Sequence, residues 1–254
     1  MIYLLGASHM GVVLKSWLMD DDTKMIEEFG KDEPKFIEFK TNDGNSINAS
    51  SIYIGHYSKF WGEHLAEMNN DIELKINPGL INLLYPLNIK EKNTKVFVFM
   101  TGQEHYYLGI QKFGIDYDFN IPWRPDLTVD INTQIISFDT ILKQVDKHLS
   151  NFYFSMLAIR KLLPDASVYN IVCPPPAHHP NLNRDAYRLK YYIIYKNLIN
   201  EFCYSLNIKN INPPEKALSE SGFLMPEYVE DEVHGNLNYG RKVISQIKEI
   251  LNET

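Results

Sequence analysis

The chain has 254 residues, 44% of them hydrophobic and 22% charged, with a formal net charge of -7 at neutral pH. That length can bury a sizeable core in one α/β domain, and that composition excludes an intrinsically disordered chain. The negative balance leaves no general basic footprint for nucleic acid, and two cysteines, Cys173 and Cys203, are too few for a disulfide framework.

The elements follow in chain order. "MIYLL" (Met1–Leu5) is a short apolar run of strand length, and Met10–Leu18 after it has helical spacing. No basic region precedes the first run, and no apolar stretch approaches the roughly 20 residues of a membrane span. The expected protein is therefore soluble, reduced and cytoplasmic, with no membrane or nucleic-acid partner; its oligomeric state is left open. "KFIEFK" and "SIYIG" alternate more and predict an edge strand or a hairpin. "IELKI" (Ile72–Ile76) and "KVFVFM" (Lys95–Met100) read as further strands.

The segment Tyr106–Thr133 has neither a helical nor a strand period and contains Pro122, Trp123, Arg124 and Pro125. Its length and aromatic content predict either a packed cover over one edge of a site or a purely structural excursion. Arg124 would grip an anionic or sugar substrate, or stack on Trp123. Ser137–Pro164 carries apolar residues every three or four positions and stops at a proline, which predicts a helix. "SVYNIV" (Ser167–Val172) and "NIKNI" (Asn207–Ile211) are strands flanking a second long helix, Asn183–Leu206, on which Arg188 and Lys190 read as solvated. "NYGRKVISQIKEIL" closes the chain as a helix. No repeat, low-complexity tract or linker divides residues 1–254, which read as a single domain. Strands alternating with helices imply a three-layer α/β/α fold with a parallel sheet, whose ligands bind beyond the carboxyl ends of the strands.

Ser8, in "GASHMG" (Gly6–Gly11), lies at such an end. A dinucleotide turn needs glycine where Ser8 stands, and the Gly-x-Ser-x-Gly elbow needs glycine where Met10 stands. A third arrangement depends on "EDEVHGNLNYG" (Glu230–Gly240), where Asp231 and His234 are three residues apart just before the last helix. A serine nucleophile needs a base beside its hydroxyl and a carboxylate to fix the imidazole tautomer, and one short turn can supply both. After the strand 95–100 comes "TGQEH" (Thr101–His105), where a glycine and an amide side chain could donate to an oxyanion.

In this order the pieces resemble the SGNH (GDSL-type) hydrolase superfamily across nearly the whole chain. The nucleophile block is Gly6-Ala7-Ser8, followed by His9. Thr101-Gly102-Gln103-Glu104 stands where that superfamily has Gly-x-Asn-Asp, and Asp231 and His234 match its terminal Asp-x-x-His. "VCPPP" (Val172–Pro176) resembles its proline-bearing turn, and His105 follows the middle block as in bacterial members with a Gly-x-Ser-His start. The resemblance implies a flavodoxin-like fold and a serine esterase that needs no cofactor and no metal. It implies Ser8, His234 and Asp231 as the triad, and the N–H groups of Ser8 and Gly79 with the Gln103 amide as the oxyanion hole. Gly44 and Gly55 are rivals to Gly79. Gln103 departs from the usual asparagine by one methylene. The implied substrate is a small-molecule or glycan ester, O-acetyl foremost. The same triad could transfer the acyl group to a sugar. A rival from another class is a catalytically idle glycan-binding protein on the same fold. His9 would bond a substrate oxygen or hold its turn. His178 would touch substrate; adjacent to His179, it is poorly placed to share one metal ion with it.

Overall fold

The computed structural model describes residues 1–18, 35–52, 64–70, 72–90, 94–100, 117–178, 185–231 and 233–253. Its main sheet contains β1 (Ile2–Gly6), β2 (Ile37–Lys40), β3 (Ser46–Ser51), β6 (Lys95–Phe99), β9 (Ser167–Ile171) and β10 (Lys209–Ile211). The lateral order is β10-β9-β6-β1-β3-β2. Every pairing is parallel except that of the edge strand β2, which joins β3 through a tight turn at Gly44.

Tyr3, Leu4 and Leu5 are all buried, because β1 is covered on both faces. Alternate residues enter different cores. Tyr3, Leu5, Val96, Val98 and Val168 join one cluster with α2 (Pro78–Lys90), α3 (Phe138–His148), α4 (Ser150–Leu162) and α5 (Asp185–Ser205). Leu4, Phe97, Phe99, Tyr169 and Ile171 join the other with α1 (Ser8–Trp17) and α6 (Leu237–Asn252). This is the three-layer α/β/α fold expected. From β1 the chain crosses to β3 on one side, then returns past β1 to β6 and continues outward to β9 and β10. That flavodoxin-like order opens a crevice at the carboxyl end of β1.

Four expectations change. Ile72–Ile76 does not enter the main sheet: β5 (Glu73–Ile76) pairs antiparallel with β4 (Ala66–Asn69) as a separate hairpin. The helix over Ser137–Pro164 is two helices, α3 and α4, meeting at Leu149, whose N–H bonds to the Val145 and Asp146 carbonyls. Of the strand expected over Ser51–Gly55, Ser51 is the last residue of β3, which starts earlier, at Ser46, and Ile52 is outside it; residues 53–55 lie outside the described residues.

The fourth concerns Arg188 and Lys190, which are buried rather than solvated. Tyr187, Leu189, Tyr191, Tyr192, Ile193 and Ile194 of α5 are buried as well, so that end of the helix keeps no solvent face. Lys190 donates from Nζ to Asp118 Oδ1 at 2.9 Å and to the Thr128 carbonyl at 2.9 Å. The described part of the irregular segment thus packs onto α5. It runs from β7 (Tyr117–Asp118) to its parallel partner β8 (Gln134–Ile135), with Phe119, Ile121 and Leu127 in the core. Among the described residues, no helix is long and apolar enough to cross a membrane.

Candidate active site

The crevice at the end of β1 is built by close approach. A Cβ on Gly6 would lie 2.5 Å from Phe99 Cβ and 2.6 Å from the Phe99 carbonyl oxygen, so only glycine lets β1 and β6 finish side by side. Ala7 follows as the helix N-cap, and α1 starts at Ser8, two residues earlier than its apolar spacing indicates. Ser8 is exposed, and its N–H belongs to the first turn, whose amides have no partner inside the helix.

Asp231 and His234 come from the turn before α6. That turn is closed by a bridge between Val229 and Gly235 and by the Glu230 N–H on the His234 carbonyl at 2.9 Å. Asn236 caps α6 by accepting from the N–H groups of Asn238 and Tyr239, and its amide donates back to the Glu227 carbonyl. Gly235 is pressed against Tyr239: a Cβ there would meet the ring at 2.5 Å.

The structure brings Ser8, His234 and Asp231 together. His234 Nδ1 lies 2.8 Å from Asp231 Oδ2, and His234 Nε2 lies 2.9 Å from Ser8 Oγ. A carboxylate only accepts, so Nδ1 carries the proton and bare Nε2 accepts from the Ser8 hydroxyl. Asp231 Oδ1 also accepts the N–H groups of Val233 and His234, each at 2.8 Å. Burial alone would raise the Asp231 pKa. The Val233 N–H, the His234 ring and the His234 N–H outweigh it, holding the carboxyl below the usual range.

His9 faces the base turn. Its Nε2 lies 3.1 Å from the Val233 carbonyl, and its ring centroid is 4.8 Å from that of His234. Burial, and then the neighbouring His234, lower its pKa from the ordinary 6.5 to about 4, so its ring is neutral near pH 7.

Gly79 is corrected as an oxyanion donor. Its N–H bonds to Asn77 Oδ1 at 2.8 Å in the first turn of α2, after a hairpin strand outside the main sheet. Gly44 sits before β3, at the end remote from Ser8. On the side of β1 away from β6 the neighbour is β3, with Gly6 opposite Ser51, so a donor on that side belongs to the chain after Ser51. Gly55 lies there in sequence, outside the described residues, as do Gln103 and His105.

Arg124 neither stands free nor stacks on Trp123. It forks onto Asp126, at 2.8 and 2.6 Å, and donates to the Ser221 carbonyl at 3.0 Å. Trp123 packs edge-on against Phe138 and keeps half its surface exposed. Through Ser221 the segment reaches the turn whose Leu224 N–H bonds to the Pro176 carbonyl, beyond the end of β9. His178 is exposed on that proline turn, against Phe223. Among the described residues, no group of three or more His, Cys, Asp or Glu could hold a metal ion.

Sequence reasoning left the partner of His9 open and missed Asn236 and Gly235. "HGNLNY" does carry a signal for the last two, an asparagine cap directly before a helical period. No protein-family model matches the chain, and no curated protein matches it. Among solved structures, a GDSL-like lipase from Bacteroides thetaiotaomicron VPI-5482 is similar over 99% of this chain and 87% of its own. The identity is 11% and the TM-score 0.49.

Proposed function

We propose that the protein is a serine esterase of SGNH type that cleaves an O-acyl ester, with O-acetylated carbohydrate as its substrate class. The observation that carries this reading is the hydrogen-bonded series Asp231–His234–Ser8 at an exposed strand end. Ser8 Oγ attacks the acyl carbonyl while its proton passes to His234 Nε2. The tetrahedral intermediate expels the alcohol, which takes that proton, and the acyl group stays on Ser8 as an ester. Water then repeats the sequence with His234 as base, releasing the carboxylic acid and restoring Ser8. Asp231 holds Nδ1–H throughout and stabilises the imidazolium.

The Ser8 N–H, at the positive end of α1, is the proposed first donor to the oxyanion, and the Gln103 amide the proposed side-chain donor. The half-exposed Trp123, on a segment that reaches the proline turn, supports a flat sugar as the alcohol half of the ester.

The test is turnover of p-nitrophenyl acetate by the wild type and by Ser8→Ala, each checked for fold by circular dichroism. The expected result is hydrolysis by the wild type and a loss of at least about 10³-fold in Ser8→Ala. Equal rates in the two proteins, or none in either, would sink the reading.

A further inference from the structure

The bonds within residues 228–236 fix the shape of the base turn, and Ser16 Oγ, donating to the Leu237 carbonyl at 3.0 Å, holds the start of α6 on α1. The Val229–Gly235 bridge, the Glu230 and Asp231 contacts and the Asn236 cap all join residues of that turn, or join it to α6, which it precedes. His9 is different. Its partner, the Val233 carbonyl, is 224 positions away, and Val233 directly precedes His234. We infer that His9 is a positioning residue, whose bond from Nε2–H to the Val233 carbonyl ties the nucleophile's helix to the base turn and sets the meeting of His234 with Ser8.

The inference rests on the esterase reading for its consequence, though not for its geometry. A carbonyl only accepts, so His9 Nε2 carries its proton and cannot act as a second base toward Ser8. One part of the ring lies along His234, centroid to centroid at 4.8 Å, where it limits how far that imidazole can turn. Another lines a small apolar cavity of about 10 Å³ with Val12, Val13, Phe99 and Tyr239. Ser8 and His9 are consecutive, so a shift of the base turn is felt at once in the Oγ–Nε2 distance. Misplacing reacting groups by about 1 Å can cost on the order of 10²-fold in rate.

Two measurements on the same proteins test this: amide hydrogen exchange of Val233 and His234, and steady-state hydrolysis of p-nitrophenyl acetate. His9→Phe keeps a ring and loses the donor. His9→Asn is a second variant without reach, in case the phenylalanine disturbs folding. His9→Gln places an amide N–H near the position of Nε2. In Phe and Asn we expect exchange at those amides faster by at least about tenfold, with α6 unchanged. We also expect kcat lower by about 10- to 100-fold and KM within about twofold, with Gln restoring most of both.

Unchanged exchange in Phe and Asn overturns the inference, and so does faster exchange with intact kcat. Equal loss in Gln and Phe overturns it too, because the bond would then not be what matters. A wild type without turnover defeats the esterase reading instead. The tie itself is then judged by exchange alone: upheld if Gln restores what Phe loses, overturned if it does not.

Discussion

A histidine serves as a base only while its two nitrogens hold different jobs and no positive charge stands beside it. Asp231 secures the first condition, since its carboxylate is kept ionised by three N–H donors and holds Nδ1–H of His234. His9 secures the second. Its pKa of about 4 means that no cation faces the imidazolium that His234 would become in the proposed reaction. The same shift makes the fold sensitive to acid. Above pH 6.5 position 9 is neutral whether folded or unfolded and contributes no pH dependence. Between about 6.5 and 4 the unfolded chain takes up a proton that the folded one refuses, so stability falls as the pH falls. Below about 4 the loss is complete, on the order of 3 kcal/mol. Urea unfolding of the wild type and His9→Gln at pH 7, 5.5 and 4.5 checks this. The wild type should lose its advantage over the variant as the pH drops. Parallel curves would show that His9 is not held neutral.

At the level of elements, the junction of β1, Gly6 and α1 decides whether Ser8 stands at the crevice. Gly6→Ala sets a Cβ against the Phe99 carbonyl, a backbone atom of a buried strand that cannot swing aside as a side-chain end can. We expect a cost of about 1–3 kcal/mol, seen as a melting temperature lower by roughly 3–10 °C, together with a fall in esterase turnover. A variant with wild-type melting would mean that the strands part freely there. The importance of this junction was legible in "GASH", as was the Asp231–His234 turn, because both lie where a strand ends or a helix begins and local periodicity marks such places. What stayed hidden depended on neighbours distant in sequence. Gly79 has the right order along the chain, but its preceding strand pairs outside the sheet. Leu149 divides α3 from α4 with no glycine or proline to mark it, since the break consists only of backbone bonds to Val145 and Asp146. Lys190 is charged and reads as exposed until its partner, 72 positions earlier, is known.

That partner joins the irregular segment to the body of the molecule. The Asp118 carboxylate accepts Lys190 Nζ and the N–H groups of Phe119 and Asp130, at 2.9, 2.7 and 2.9 Å, and Lys190 also stands 5.7 Å over the Phe119 ring. Both charges are buried, so neither can fall back on water when the other is removed. Lys190→Met therefore leaves Asp118 charged and underpaired. The expected cost is about 3–5 kcal/mol, or roughly 10 °C in melting temperature, with faster proteolytic cleavage between residues 117 and 135. The triad stands on the other layer: Ser8 begins α1 and His234 precedes α6, whereas Lys190 lies among the helices of the opposite face. Turnover well below the melting range should accordingly stay within about twofold of the wild type, so that stability and chemistry separate. Adding Asp118→Asn to Lys190→Met removes the stranded charge while an amide oxygen remains for the Phe119 N–H. It should recover part of the lost stability, a coupling that a double-mutant cycle measures directly. No recovery would assign the loss to packing around the lysine stem rather than to the unpaired carboxylate, and the ion pair would then not be what holds the segment in place.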